Sequence, residues 1–510
     1  MSIINRAFAY LMRGHLSRVD QMCLHPLDIQ HRMFQLLMAN LAKTKYGQQY
    51  HIAPTTDYPE FARRVPIATY DDLLPYIERM RQKEANVLWP GAHRWYAKSS
   101  GTTSTKSKFI PVTRQCLKVC HYRGGYDLLA LYFHNYPRAR VFSGRGLTLG
   151  GSYKPSGPEG WVREGDLSAI LLRNVPTWVD FVRTPSRAVA LLADWDQKLE
   201  GIAKEALHQN VTSITGVPSW NLLMLQHMLQ VSGKSNLLEL WPNLEVFFHG
   251  GMNFAPYRTQ FDQLIPSAQR RYMESYNASE GYFGLQNEPN RHDMLLMLDY
   301  GVFYEFIPMD SFHSANPTVL PLEGVEKGVN YALVISSTNG LWRYIIGDTI
   351  TFTELKPYKF LITGRTKHFI NAFGEEVIID NADRALAQAC QRTGAIVQEY
   401  TAAPRYMDLK QKGCHEWFIE FANAPEDLSE FTRCLDQALT EINSDYEAKR
   451  HNDITLRMPL VHAVPQGAFV GWMASRGKVG GQNKVPRLSN DRQYVDSLSA
   501  YLQKDHPPTA

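Results

Sequence analysis

The chain has no run of about 18 apolar residues among its 510, so nothing in it reads as a transmembrane helix. Cysteine is scarce. The six residues Cys23, Cys116, Cys120, Cys390, Cys414 and Cys434 include no CxxC pair and none beside His at zinc-ligand spacing. That argues against a disulfide scaffold and for a reduced, cytoplasmic protein with no structural metal. A large charge excess is lacking too: Lys plus Arg number 54 against 50 for Asp plus Glu, a net charge of +4 without long basic runs, so nucleic acid is not the expected partner. Internal repeats, low-complexity tracts and the unbroken apolar stretch of a secretory signal are also missing. The start, MSIINRAFAYLMRGHLSRVD, is interrupted by Arg6, Arg13, His15 and Arg18. It reads as an amphipathic helix, and its Arg-containing, acid-poor composition also fits a transit peptide.

What is present is an ordinary globular composition, 44% hydrophobic, 20% charged and 12% aromatic, in a chain long enough for two or three cores. Apolar residues at three- and four-residue intervals predict helices through residues 1–50, and another is predicted over Tyr70 to Arg81, opened by Thr69 and Asp71. From about residue 90 to 363, strand-like runs alternate with helical ones, as in VTSITGV, SWNLLMLQHMLQ and LEVFFHGG, which predicts an α/β domain with a largely parallel sheet. The polar Pro-Gly segment Tyr153 to Gly165 reads as a long loop. Near residue 364 the strand-like KFLITGRTKHFINAFGEEVI leads into a helix from about Asp380 to Gln391. Two strands, AIVQEYTAAP and HEWFIEFA, follow, then helices around Leu428 to Tyr446 and Asp491 to Gln503. The expectation is a large N-terminal domain of residues 1–363 and a small C-terminal α/β domain of residues 364–510.

The stretch Lys98-Ser-Ser-Gly-Thr-Thr-Ser-Thr-Lys-Ser-Lys108 sets hydroxyls and one Gly between lysines, a composition that can wrap phosphate oxygens. It lacks the second Gly of a standard phosphate loop. A Ser/Thr-rich surface loop would look the same, but the apolar Phe109-Ile-Pro-Val that follows anchors this one to a strand. Phe247-Phe-His-Gly-Gly-Met252 is a strand ending in two glycines, where a planar ring could lie against bare backbone, or simply a tight turn. In Tyr276-Asn-Ala-Ser-Glu280 a ring could pack on a purine while Glu280 offers a hard oxygen to Mg²⁺; a solvated strand end is the plainer reading. Trp342-Arg-Tyr-Ile-Ile-Gly-Asp348 reads as a strand ending on a carboxylate suited to two sugar hydroxyls, or as an Asp opening a turn. Gly364-Arg-Thr-Lys367 places two cations at the domain junction. Gly144-Arg-Gly146-Leu-Thr-Leu-Gly150 has the wrong spacing for a dinucleotide fingerprint, and Cys116, Cys120 and His121 read as core packing.

Taken in order, the Ser/Thr loop ending in Lys-Phe-Ile-Pro, HGGMNFAPY, YNASEG, YIIGD, GRTKHFINAFGEE and GGQNKVPRL resemble the auxin-responsive acyl-acid-amido synthetase family, in a bacterial-type version, within the adenylate-forming superfamily. The resemblance runs from about residue 30 to 500. It implies a large N-terminal adenylate-forming domain that binds ATP and the acyl substrate, a smaller mobile C-terminal domain, and the cofactors ATP and Mg²⁺. The implied reaction is adenylation of a small carboxylic acid and transfer of the acyl group to an amino acid or another amine. An acyl-CoA ligase of the same superfamily and a non-catalytic nucleotide-binding sensor are the competing readings.

By that resemblance Ser99, Ser100, Gly101, Thr102, Thr103 and Lys108 would hold the β- and γ-phosphates, and Gly250 and Gly251 would flank the adenine. Tyr276 and Ser279 would complete the nucleotide pocket, with Glu280 on Mg²⁺. Asp348 would bind the ribose hydroxyls, Arg365 the ribose or a phosphate, and Lys367 would lie at the pivot. Lys484 would contact the α-phosphate. Lys108, Glu280 and Lys484 would carry the catalysis. The acyl pocket is expected between the helix after the phosphate loop, with Arg123 and Tyr126, and the segment around Trp220. Ser104, Thr105 and Lys106 stand where plant members have a Gly-richer loop, so the resemblance does not extend to a plant-hormone substrate.

Overall fold

The computed structural model describes residues 10, 12–100, 107–252, 254–312, 314–366, 369–407, 411–451, 455–476 and 485–505. They divide into two compact units. One takes in the chain up to Ser99 with Lys108–Phe254 and Phe261–Thr366; the other includes Ala255–Gln260 and the chain beyond Thr366.

In the first unit the predicted helical start resolves into α1 (Arg13–Leu24) and α2 (Pro26–Leu41). α2 is seated by Gln30, 3% exposed, whose amide donates to the carbonyls of Leu298 and Val302 at 2.8 and 3.0 Å and accepts from Tyr304 N–H at 3.0 Å. Three backbone groups that burial would otherwise strand are satisfied by one side chain. α3 (Tyr70–Arg81) starts where predicted, and the acid that closes its capping box is Asp72, which accepts from Thr69 N–H at 2.8 Å. α4 (Tyr122–Asn135) is preceded by a π-helical turn, Leu117–His121. Further on come α5 (Trp195–Ala206) and α6 (Pro218–Ser232), the latter with Pro at its first position and Gly233, at φ +65°, closing it.

The strands form two sheets. β1 (Trp95–Ser100) and β2 (Ser107–Pro111) lie in a four-stranded sheet with Tyr153–Ser156 and Val162–Gly165. The segment expected to be a long loop thus contributes two strands, Val162–Gly165 pairing parallel with β1. The main sheet has 12 strands among the described residues. It begins with a parallel half: Arg183–Thr184, β3 (Arg145–Thr148), β4 (Val211–Gly216), β5 (Val246–Gly250) and β6 (Arg271–Ala278).

Beyond β6 every pairing is antiparallel: β7 (Gly281–Leu285), β8 (Met294–Leu296), β12 (Tyr358–Arg365), β11 (Tyr344–Leu355), β10 (Asn330–Ser337), β9 (Val302–Pro308) and Leu320–Pro321. The sheet is therefore mixed, where the sequence predicted it largely parallel. The connections after β6 are too short for helical crossovers, and short connections make antiparallel neighbours. β6 is the seam between the two halves.

In the second unit α7 (Ile379–Thr393) leads to a sheet of β13 (Ile396–Arg405), β14 (Cys414–Asn423) and β15 (Leu460–Val464). α8 (Leu428–Ile442) stops four residues short of the predicted helix end, because Asn443 leaves helical geometry and caps a new helix, Ser444–Arg450, through its side chain. α9 (Gln493–Asp505) closes the unit. Among the described residues no helix is long and apolar enough to cross a membrane.

Candidate active site

The seam strand collects the nucleotide motifs. β5 ends on Gly250, paired in register with Ser275 of β6. A Cβ on Gly250 would lie 2.2 Å from the Ser275 carbonyl oxygen, so only glycine permits this approach. Gly251 follows at φ +81°, turning the chain away at the carboxyl end of a parallel strand, the position where open α/β sheets bind ligands. On the far side β6 and β7 form a hairpin whose loop is Ser279-Glu280, since Ala278 pairs with Gly281. Glu280 is 6% exposed, and its carbonyl accepts from the Asn339 amide at 3.0 Å.

Three strands further along, Asp348 does not end its strand as the sequence suggested: β11 runs on to Leu355. Its pairing with β10 is irregular between Ala332 and Val334, and Gly347 takes φ +101°. A bulge with glycine at the kink re-aims the next side chain. Asp348 pairs in register with Arg365 of β12, whose Nε donates to Asp348 Oδ1 at 2.7 Å. The Tyr276 hydroxyl donates to Asp348 Oδ2. Burial and the adjoining carboxylate hold the Tyr276 phenol well above its usual range, so it remains a donor. Both carboxylate oxygens are thus fixed in direction while keeping further lone pairs for a ligand.

This corrects one expectation. The ring of Tyr276, 7% exposed, lies edge-on to Phe283 at 5.0 Å and near Phe360 at 6.2 Å. It is the hydroxyl, not the face of the ring, that reaches the site.

The remaining expected residues are less concentrated. Ser99 is half-buried near the end of β1. Ser100 ends that strand, and its side chain, like Gly101, Thr102, Thr103, Lys367 and Lys484, lies outside the described residues. Lys108 is 5% exposed on β2 with its ammonium 5.9 Å from the ring centroid of Tyr70, whose hydroxyl accepts from Phe109 N–H at 2.8 Å. Arg123 donates to the Asp299 carbonyl at 2.8 Å, Tyr126 packs by the ring of His15 on α1 at 5.5 Å, and Trp220 packs on Trp195 at 4.5 Å. The expected acyl residues therefore lie on three separate contacts.

Three residues escape sequence reasoning. Glu274, two positions before Tyr276, is pushed up to about 7 by burial alone. Asn277 accepts from His121 Nδ1, 2.9 Å away, and burial pushes that imidazole down to about 4. Asn339 holds the Glu280 loop. Nothing local marks Glu274 or Asn339, whose surroundings come from strands remote in sequence. Asn277 lies inside a recognised motif.

The N-terminal, central and C-terminal domain models of the GH3 family match residues 15–269, 295–365 and 380–493. An indole-3-acetic acid-amido synthetase of Arabidopsis thaliana is 22% identical, over 96% of this chain and 93% of its own length. A 4-substituted benzoates-glutamate ligase of the same plant is 23% identical over 95% of each chain. Among solved structures, the GH3.15 acyl acid amido synthetase superposes with a TM-score of 0.60 at 18% identity, covering 96% of each chain. A 2-hydroxyisobutyryl-CoA ligase superposes with a TM-score of 0.55 at 14% identity, covering 94% of this chain and 92% of its own. These likenesses give the fold, which the chain shares with both of these ligases. With its first domain model spanning half of the sequence and the other two following in order, the chain belongs to the GH3 family.

Proposed function

We propose that the chain is an ATP-dependent, AMP-forming ligase that adenylates a carboxylic acid, releasing pyrophosphate, and transfers the acyl group to an amino acid or another amine. The observation that carries the reading is the convergence of Tyr276 and Arg365 on Asp348 in the sheet where Gly250 and Gly251 end a parallel strand. The relatives named as an amido synthetase and a benzoates-glutamate ligase support the reaction class.

Asp348 accepts the ribose hydroxyls, and Arg365 contacts the ribose or a phosphate. Gly250 and Gly251 leave room for the adenine, with Ser279 at the pocket edge and Tyr276 acting through its hold on Asp348. Ser99, Ser100, Gly101, Thr102 and Thr103 bind the β- and γ-phosphates. A carboxylate oxygen of the acid then attacks the α-phosphorus as the bond to pyrophosphate breaks, and Lys108 and Lys484 offset the charge that develops. The residues fit Mg²⁺ in one respect, a carboxylate held in a two-residue turn: Glu280 would bind the ion, which when present supplies charge neutralisation on the phosphates. In the second step the amine nitrogen attacks the acyl carbon and AMP leaves. The C-terminal domain, residues 364–510, is the mobile part that excludes water, with Lys367 at its pivot. Trp220 is retained as an apolar wall of the acyl site; Arg123 is already committed to Asp299. The six free cysteines fit a reducing, cytoplasmic setting.

Pyrophosphate release with Mg-ATP and a panel of aryl and alkyl acids tests this reading, with amino acids and coenzyme A added separately. Acid-dependent release stimulated by an amino acid, and lost in Lys108→Met and Glu280→Gln, supports it. Stimulation by coenzyme A alone makes the protein a thioester-forming ligase. ATP binding without release for any acid favours a nucleotide sensor or an acid outside the panel.

A further inference from the structure

Cys116, Cys120 and His121 read from the sequence as core packing, and their burial at 1%, 1% and 3% exposure agrees with that. Their mutual geometry asks for more. On a regular α-helix a residue and the one five positions on diverge around the axis. Here the turn is π-helical, with Tyr122 N–H bonded back to the Leu117 carbonyl, and the wider turn brings positions i, i+4 and i+5 to one side. One donor atom from each of the three residues lies within 4.8 Å of the others. Such π-turns cost regular hydrogen bonding and occur frequently at functional sites.

The surroundings match those of a ligand set. Asn277 Oδ1 can only accept, so His121 Nδ1 carries the proton and the ring's lone pair falls on Nε2. That Nε2 is buried with no hydrogen-bond partner among the described residues. An imidazole fixed by an amide oxygen at one nitrogen and unpartnered at the other is the arrangement a metal-binding His adopts. Cys120 Sγ accepts from Tyr282 N–H at 3.1 Å, as coordinated sulfur commonly does. The Thr338 and Asn339 side chains lie within hydrogen-bonding reach of the Cys116 thiol, so a buried oxygen stands beside the three for a fourth position.

We propose that Cys116, Cys120 and His121 form a buried site for a thiophilic divalent cation of the Zn²⁺ class. On binding, each thiol releases its proton to solvent as its sulfur coordinates. Two thiolates then neutralise the dication, and the neutral imidazole adds no charge to the core. The site is a fastener for the hairpin that carries Glu280: Cys120 holds β7 through Tyr282, His121 holds β6 through Asn277, and Asn339 holds the loop between them.

The test uses the full chain, produced in medium supplemented with Co²⁺ and purified under reducing conditions. The expected result is stoichiometric cobalt with thiolate-to-metal charge-transfer absorption, both chased by Zn²⁺. Cys120→Ser and His121→Gln should lose the band and the metal, while Cys390→Ser should keep both. A wild-type chain that is metal-free and lacks the band overturns the proposal without recourse to any variant. So does a band that survives Cys116→Ser with Cys120→Ser. The readout is independent of ligase activity, so its failure is distinct from failure of the functional reading above.

Discussion

Tyr276 and Asp348 stand 72 positions apart in sequence, and the hydroxyl of the first donates to a carboxylate oxygen of the second. The phenol ring is packed against Phe283, and the carboxylate is only 14% exposed at its side chain, so neither partner has much freedom to turn away.

Tyr276→Phe should therefore leave the fold standing and weaken the nucleotide site. A hydrogen bond to a charged group contributes about 1.5–3 kcal/mol, and because this one is made without nucleotide its loss falls first on the fold, while the freed Asp348 carboxylate is less well aimed at the ribose. The thermal midpoint should fall and the KM for ATP in pyrophosphate release should rise. An unchanged KM would separate Tyr276 from the nucleotide.

Arg365 reaches the same carboxylate from the other side at 2.7 Å, and both side chains are less than a fifth exposed. A double-mutant cycle with Asp348→Ala and Arg365→Ala should give a coupling of about 1 kcal/mol or more in apparent ATP affinity. Strictly additive losses would mean that the two residues serve the ligand independently.

How far the sequence disclosed all this follows from the range of the interactions concerned. The strands Val211–Gly216 and Val246–Gly250 and helix Pro218–Ser232 were legible because periodicity and turn residues are local signals. The break at Asn443 and the strands inside the Tyr153–Gly165 segment were not, since a cap bond and a parallel partner decided them. In the site, Asp348 and Arg365 were legible as motif residues but not as cross-strand partners. Tyr276 was legible as an aromatic near the nucleotide, yet only the antiparallel half of the sheet supplies the Phe283 and Phe360 rings that bury its face.

Gly250 and Gly251 are adjacent but should respond differently to alanine. At Gly250 the new Cβ meets a backbone oxygen at 2.2 Å, and relief requires β5 and β6 to part. At Gly251 the contact is with the Val217 side chain at 3.4 Å, and the cost is mainly that of holding φ +81°, about 1 kcal/mol. Gly250→Ala should lower the denaturation midpoint distinctly more than Gly251→Ala, measured by urea unfolding. Equal shifts would show that the two strands yield easily.

Glu274 offers a pH signature. Burial raises its pKa in the folded chain to about 7 from the ordinary 4.5. Across that window the folded chain keeps a proton that the unfolded chain has given up, so each rise in pH favours unfolding. The stabilising effect of the neutral carboxyl is complete below the unfolded value and is lost as pH climbs through about 7. Glu274→Gln has no proton to lose. Its stability relative to wild type should improve between acid and mildly alkaline pH by about 3–4 kcal/mol, since a tenfold difference in proton affinity between the two states is equivalent to about 1.4 kcal/mol. Urea midpoints of both proteins across that range would show a widening gap. A constant gap would mean that the Glu274 carboxylate finds a compensating partner when it ionises, and that burial does not govern its charge.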